Sequence, residues 1–174
     1  MIRFIRSTGA LIIVDQFTPE SPVRSRLDHI MTTCLLINLF STFFMTGLIW
    51  FVQIVHYPLF TKIGSRGFTQ YAESHRHLTS LVVVPIMLLE LIAAALLPLC
   101  IDTLSKRLLS WLALALLIGV WLATAILQVP LHEKLGNGYS DEDAEKLAST
   151  NWVRTILWTA RSFVLLAILV MFIN

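Results

Sequence analysis

Glu90, Arg154 and Arg161 are charged residues set inside stretches that otherwise read as hydrocarbon, "VVVPIMLLELIAAALL" and "NWVRTILWTARSFVLLAILV". His56 stands in a similar place, in "WFVQIVHYPLF", followed at once by Tyr57 and Pro58. An ionisable side chain in such a segment normally turns toward the interior of a helix bundle and pairs there. His56 is therefore the candidate acid or base, because imidazole titrates near neutrality. Arg154 and Arg161 are the candidates to stabilise an enolate or phenolate, with Glu90 orienting Arg161. Gln53, Tyr57, Gln128, His132, Asn151 and Trp158 are the candidate substrate-binding residues.

These residues share direction as well as type. At about 100° per residue, Asn38, Ser41, Thr42, Gln53 and His56 fall on one side of a first helix. Thr79, Val83, Ile86 and Glu90 share a face of a second, continued outward by His75 or Arg76. Trp121, Thr124 and Gln128 align on a third, with His132 just past Pro130. Asn151, Arg154, Thr155, Trp158 and Ser162 align on a fourth, with Arg161 at the margin of that face. At about 1.5 Å per residue, Glu90 and Arg161 reach comparable depths, which predicts that they pair. Gln53, His56, Gln128, His132, Asn151 and Arg154 form a shallower layer, predicted to line a pocket that opens toward the long connections, with Tyr57 and Pro58 at its rim and Glu90 and Arg161 as its floor.

The elements that must position these groups are membrane spans. The chain has 174 residues, of which 56% are hydrophobic and 14% charged, against about a quarter charged in soluble domains. Residues 31–55, 78–101, 108–129 and 152–173 are each long enough to cross about 30 Å of hydrocarbon, which takes about 20 helical residues. Backbone groups cannot stay unpaired in lipid, so the fold class is all-α, an integral membrane four-helix up-down bundle. Short interfacial helices are expected in the two long loops, "TKIGSRGFTQYAESHRH" and "HEKLGNGYSDEDAEKLASTN". In the second, Ser140 and Asp143 fit a capping box opening a helix that ends near Ser149. No internal repeat stands out.

Residues 1–30 read as a mobile tail, since "DQFTPESPVRSR" carries prolines and charges without helical periodicity, and residues 31–174 form the membrane domain. Met31 is an alternative start. The tail and the short loop "DTLSKR" carry slightly more Arg and Lys than the opposite face, which leans toward a cytoplasmic N-terminus. The net charge of +2 is too small and too dispersed for nucleic acid. The lipid bilayer and a small hydrophobic ligand are the expected partners. Cys34 and Cys100 lack the spacing of a metal or haem-attachment motif, although both lie toward one membrane face, where a disulfide is conceivable.

From Leu127 to Arg161, "LQVPLHEKLGNGYSDEDAEKLASTNWVRTILWTAR" resembles the small four-span membrane proteins of the anthrone oxygenase-like family. The matching positions are Pro130, Asn151, Trp152, Arg154 and Thr155. The resemblance implies an enzyme acting on a small lipid-soluble molecule, aromatic or quinone-like, by proton transfer or oxidation with little help from a cofactor. Two other readings stand beside it. One is haem binding, with His56 and one of His75, His77 or His132 as axial ligands. The other is a non-enzymatic subunit or assembly factor in which the charged pair secures packing. No metal site is expected, and the residues leave any cofactor undetermined.

Overall fold

The computed structural model describes residues 5–7, 10–12, 22–60, 62–63 and 65–173. Helix α1 (Pro22–Phe51), a π-helical turn (Val52–His56) and α2 (Tyr57–Phe60) run on as a first rod. Helix α3 (Ser65–Leu96) closes in a 3₁₀ turn (Leu97–Leu99) to make the second. Helix α4 (Leu104–Ala123), a second π turn (Thr124–Gln128) and α5 (Val129–Asn137) make the third, and α6 (Asp141–Ile173) is the fourth. All four rods are long and apolar enough to cross a membrane. Along their backbones, α1 packs on α3 and α6, α4 and α5 pack on α6, and α3 also packs on α4 and α5.

The helices continue where the sequence predicts interfacial pieces. Residues 65–77 are the first turns of α3, residues 129–137 extend the third rod, and residues 141–151 are the start of α6. Ser140 does accept the Asp143 amide at 3.3 Å, as an N-cap does. The helix it opens runs on past Ser149, because nothing from Ser149 to Arg154 is a glycine or proline that would break it. Of the tail expected over residues 1–30, positions 1–4, 8–9 and 13–21 lie outside the described residues. Strands β1 (Ile5–Ser7) and β2 (Ala10–Ile12) pair antiparallel, and α1 begins at Pro22, a residue suited to a first helical position.

Three apolar clusters fill the space between the rods. Cys34, Leu39, Leu97 and Leu165 pack at one end, Met45, Met87, Leu117 and Trp158 in the middle, and Phe60, Phe68, Leu135 and Leu147 at the other. Cys34 and Cys100 are free thiols.

The two π turns have a common cause. A proline returns no N–H to the preceding turn, and its ring crowds the carbonyl there. In both rods the residue before the proline donates five positions back instead of four: Tyr57 to the Val52 carbonyl, and Val129 to the Thr124 carbonyl. The wider turn makes room for Pro58 and Pro130 and re-aims the side chains it carries, Gln53 and His56 in one rod and Gln128 in the other.

Laying the third rod on the first in this register matches Gly47 with Gly119, Ile54 with Ile126, Pro58 with Pro130, Leu59 with Leu131 and Lys62 with Lys134. The likeness is between these two rods and centres on their proline-bearing ends, where each carries a π turn.

Candidate functional site

The inward stripes read from the sequence are buried. Asn38, Ser41, Thr42, Gln53, Glu90, Gln128, Asn151, Arg154, Thr155, Arg161 and Ser162 are all in the interior. They divide into two separate layers.

In the deep layer, Arg161 Nε lies 3.0 Å from Glu90 Oε1, with both side chains fully buried. The pair expected from depth is therefore made. Arg161 Nε also donates to Thr42 Oγ1 at 3.1 Å, its two terminal nitrogens donate to the Ala113 carbonyl and to Asn38 Oδ1, and Thr42 donates to Glu90 Oε1 at 2.6 Å. Trp158 Nε1 reaches Glu90 Oε2 at 3.3 Å. Every rod contributes to this knot, and both charges have their partners inside it. Arg161, placed by the sequence at the margin of its face, is fully buried because its long side chain reaches inward from that margin.

The shallower layer is built around Arg154. Its Nε donates to Asn151 Oδ1 at 2.9 Å, and one terminal nitrogen reaches Asn151 Oδ1 at 2.6 Å, Tyr57 Oη at 3.3 Å and Gln128 Oε1 at 3.4 Å. Asn151 Nδ2 donates to Gln53 Oε1 at 2.9 Å, and Gln53 Nε2 to the Ala148 carbonyl at 3.0 Å. All of these acceptors are neutral. Arg154 is 8% exposed and has no ion-pair partner among the described residues.

Beside Arg154, Tyr57 Oη and His132 Nε2 are hydrogen-bonded at 3.1 Å, and the same hydroxyl lies 3.4 Å from Gln128 Oε1. Either tautomer of His132 leaves a complete pattern. With His132 donating, Tyr57 donates to Gln128; with His132 accepting, Tyr57 donates to it. His56 Nε2 and His75 Nδ1 are 3.1 Å apart, and Thr79 Oγ1 is 3.1 Å from that same His75 nitrogen. The ring centroids of His75 and His132 lie 5.9 Å apart.

A cavity of about 390 Å³ adjoins this layer, lined by His75, Thr79, Trp121, Gln128, His132 and Arg154 among others. A smaller one of about 80 Å³ lies behind it, bordered by Tyr57, His75, His132, Arg154 and Trp158. Of the sequence-derived candidates, Tyr57, Gln128, His132, Arg154 and Trp158 border one or both. Gln53, His56 and Asn151 instead hold the wall residues from behind, His56 through His75 and the two amides through Arg154. Glu90 and Arg161 border neither cavity. The larger cavity lies between α3 and the third rod. It reaches Arg76 and Glu133 at one end, and Ser80, Val84, Ala125 and Val129 line its outward side, so it opens sideways as well as toward the long connections.

The sequence places His75 or Arg76 as the outward continuation of the second inward face and His75 as a haem candidate; in the structure His75 links His56 to the cavity. Trp121 Nε1 is the one buried side-chain nitrogen among the described residues with no hydrogen-bond partner, and its ring lines the larger cavity. Among the described residues, no group of three or more His, Cys, Asp or Glu is arranged to hold a metal ion. Comparison with family models, curated proteins and solved structures finds no match.

Proposed function

We propose that the chain is a four-span membrane protein, an up-down bundle with both long connections on one face. Its interior cavity binds a small lipid-soluble molecule and moves a proton on it. The exterior supports the membrane setting: Leu99, Phe163, Ile126 and Ile173 are between 65% and 74% exposed, and a surface of this kind is stable against lipid rather than water. The lean of basic residues puts the tail and short loop on the cytoplasmic side.

The observation that carries the functional reading is Arg154, a buried guanidinium bordering a cavity with only neutral partners. A buried charge is normally paired, since leaving it unpaired is costly. Here the place of the counter-charge is open to the cavity. Negative charge developing on an oxygen of a bound molecule would be offset by Arg154, while His132, hydrogen-bonded to Tyr57, takes up the proton released. His56 acts behind His75 as a second proton holder. The resemblance to the anthrone oxygenase-like family supports an aromatic or quinone-like substrate.

Mass spectrometry of organic extracts from detergent-purified protein tests the reading. Wild type is expected to carry an apolar small molecule that the Arg154→Met variant, equally folded, does not carry. Identical extracts from the two proteins would count against a ligand at this site. A non-enzymatic role is favoured for one part of the molecule only, the Glu90–Arg161 knot, whose hydrogen bonds are complete without any ligand.

A further inference from the structure

The larger cavity carries a donor that the protein leaves without a matching counter-charge, the Arg154 guanidinium, which has no carboxylate partner. It sits on the fourth rod, and the indole of Trp121 on the third borders the same space. A ligand that satisfies the guanidinium brings a negatively charged oxygen. The rest of the wall is mainly aliphatic, with Val83, Val84, Met87 and Val129 among its members, and it accepts an apolar body.

The outward side of the cavity says where that body comes from. Val84 and Val129 are each 45% exposed, and Ser80 and Ala125 beside them are exposed as well. The surface flanking this slot is Leu81, Leu88, Leu122 and Ile126, all exposed and apolar. In a bilayer that surface faces acyl chains. At its other end the cavity meets water beside Arg76 and Glu133, whose opposite charges give an anion no net attraction there.

Building on the reading of this cavity as a ligand site, we propose that its ligand is an apolar acid that enters from the bilayer through the slot between α3 and the third rod, anionic oxygen first, to meet Arg154. Two kinds of molecule share that chemistry, a fatty acid and an acidic phenol such as a hydroxynaphthoquinone.

The test uses the full chain in lipid nanodiscs, with a diazirine fatty acid, the diazirine fatty alcohol of the same length, and a hydroxynaphthoquinone as competitor. The acid is expected to label peptides covering residues 80–87 and 121–129, and the alcohol to label them about tenfold less. Arg154→Met should abolish that preference. Ala125→Trp, which fills the slot from its exposed rim, should suppress labelling while leaving the melting temperature unchanged. Displacement of the acid by micromolar quinone identifies a phenol-type ligand, and its failure to displace identifies an acyl one; each fits an apolar acid. Equal labelling by acid and alcohol overturns the anionic head. Undiminished labelling of Ala125→Trp overturns the sideways route while leaving the ligand site standing. No labelling of wild type by the acid, with no binding of the quinone, overturns both the route and the site.

Discussion

Arg154 and Arg161 lie on the same helix about two turns apart, and both are buried, yet their surroundings differ in kind. Arg161 has a carboxylate at 3.0 Å and donates to groups on three other rods. Arg154 has only amide and hydroxyl acceptors and borders an open cavity. Burial alone therefore says little about what a charge inside an apolar helix bundle does. The deep arginine is consumed by the fold, while the shallow one keeps an unmet charge beside a space of ligand size.

The sharpest way to break the comparison is to strand a charge in the deep knot. Arg161→Met leaves the buried Glu90 carboxyl with only Thr42 and Trp158 as partners, and should cost about 3 to 5 kcal/mol. Thermal melts in detergent would show it, and Glu90→Leu combined with Arg161→Met should recover part of the loss. Strictly additive losses would mean that the two groups are not coupled.

A smaller loss is expected from Thr42→Val, which removes the hydroxyl that donates to Glu90 and accepts from Arg161. The change should lower stability by about 1 to 3 kcal/mol, because it leaves buried charged groups short of a partner. A melt indistinguishable from wild type would show that the hydroxyl contributes nothing to the knot.

Arg154→Met should cost less again, about 1 to 2 kcal/mol, since the lost bonds are to neutral groups and polar contacts between membrane helices are modest.

The smallest effects separate Gly47 and Gly119, which coincide when the third rod is laid on the first. A Cβ at Gly47 meets nothing within 4 Å, whereas one at Gly119 comes within 3.2 Å of Leu157 Cδ1. Gly47→Ala should therefore stabilise by about 0.5 kcal/mol, through helix preference alone. Gly119→Ala should gain less, because the Leu157 side chain has to shift. Equal gains would show that this packing seam is slack.

Much of this was legible in the sequence. Thr42, Glu90, Asn151, Arg154 and Thr155 announced their inward faces because polar residues at helical spacing in an apolar run have nowhere else to point. The depth of Glu90 and Arg161 sufficed to pair them. Other features were not legible, for stated reasons. A reading at a constant 100° per residue contains no π turn, so the widened turns before Pro58 and Pro130 and the re-aiming of Gln53, His56 and Gln128 were not visible. "DEDAEKLAST" resembles a separate surface helix in composition, and only the lack of a breaker shows that α6 runs through it. The sideways opening depends on the gap between α3 and the third rod, a distance that no pattern along one chain encodes. For the same reason, His56 could be placed on the inward stripe but not behind His75.

The division between the two arginines is tested most directly by measuring stability and binding together on Arg154→Met, using melting in detergent and equilibrium dialysis against a labelled hydroxynaphthoquinone and a labelled fatty acid. The expected result is a folded protein within about 2 kcal/mol of wild type whose affinity for the preferred acid falls by about tenfold or more. Wild-type affinity in that variant, or a stability loss as large as that of Arg161→Met, would contradict the account.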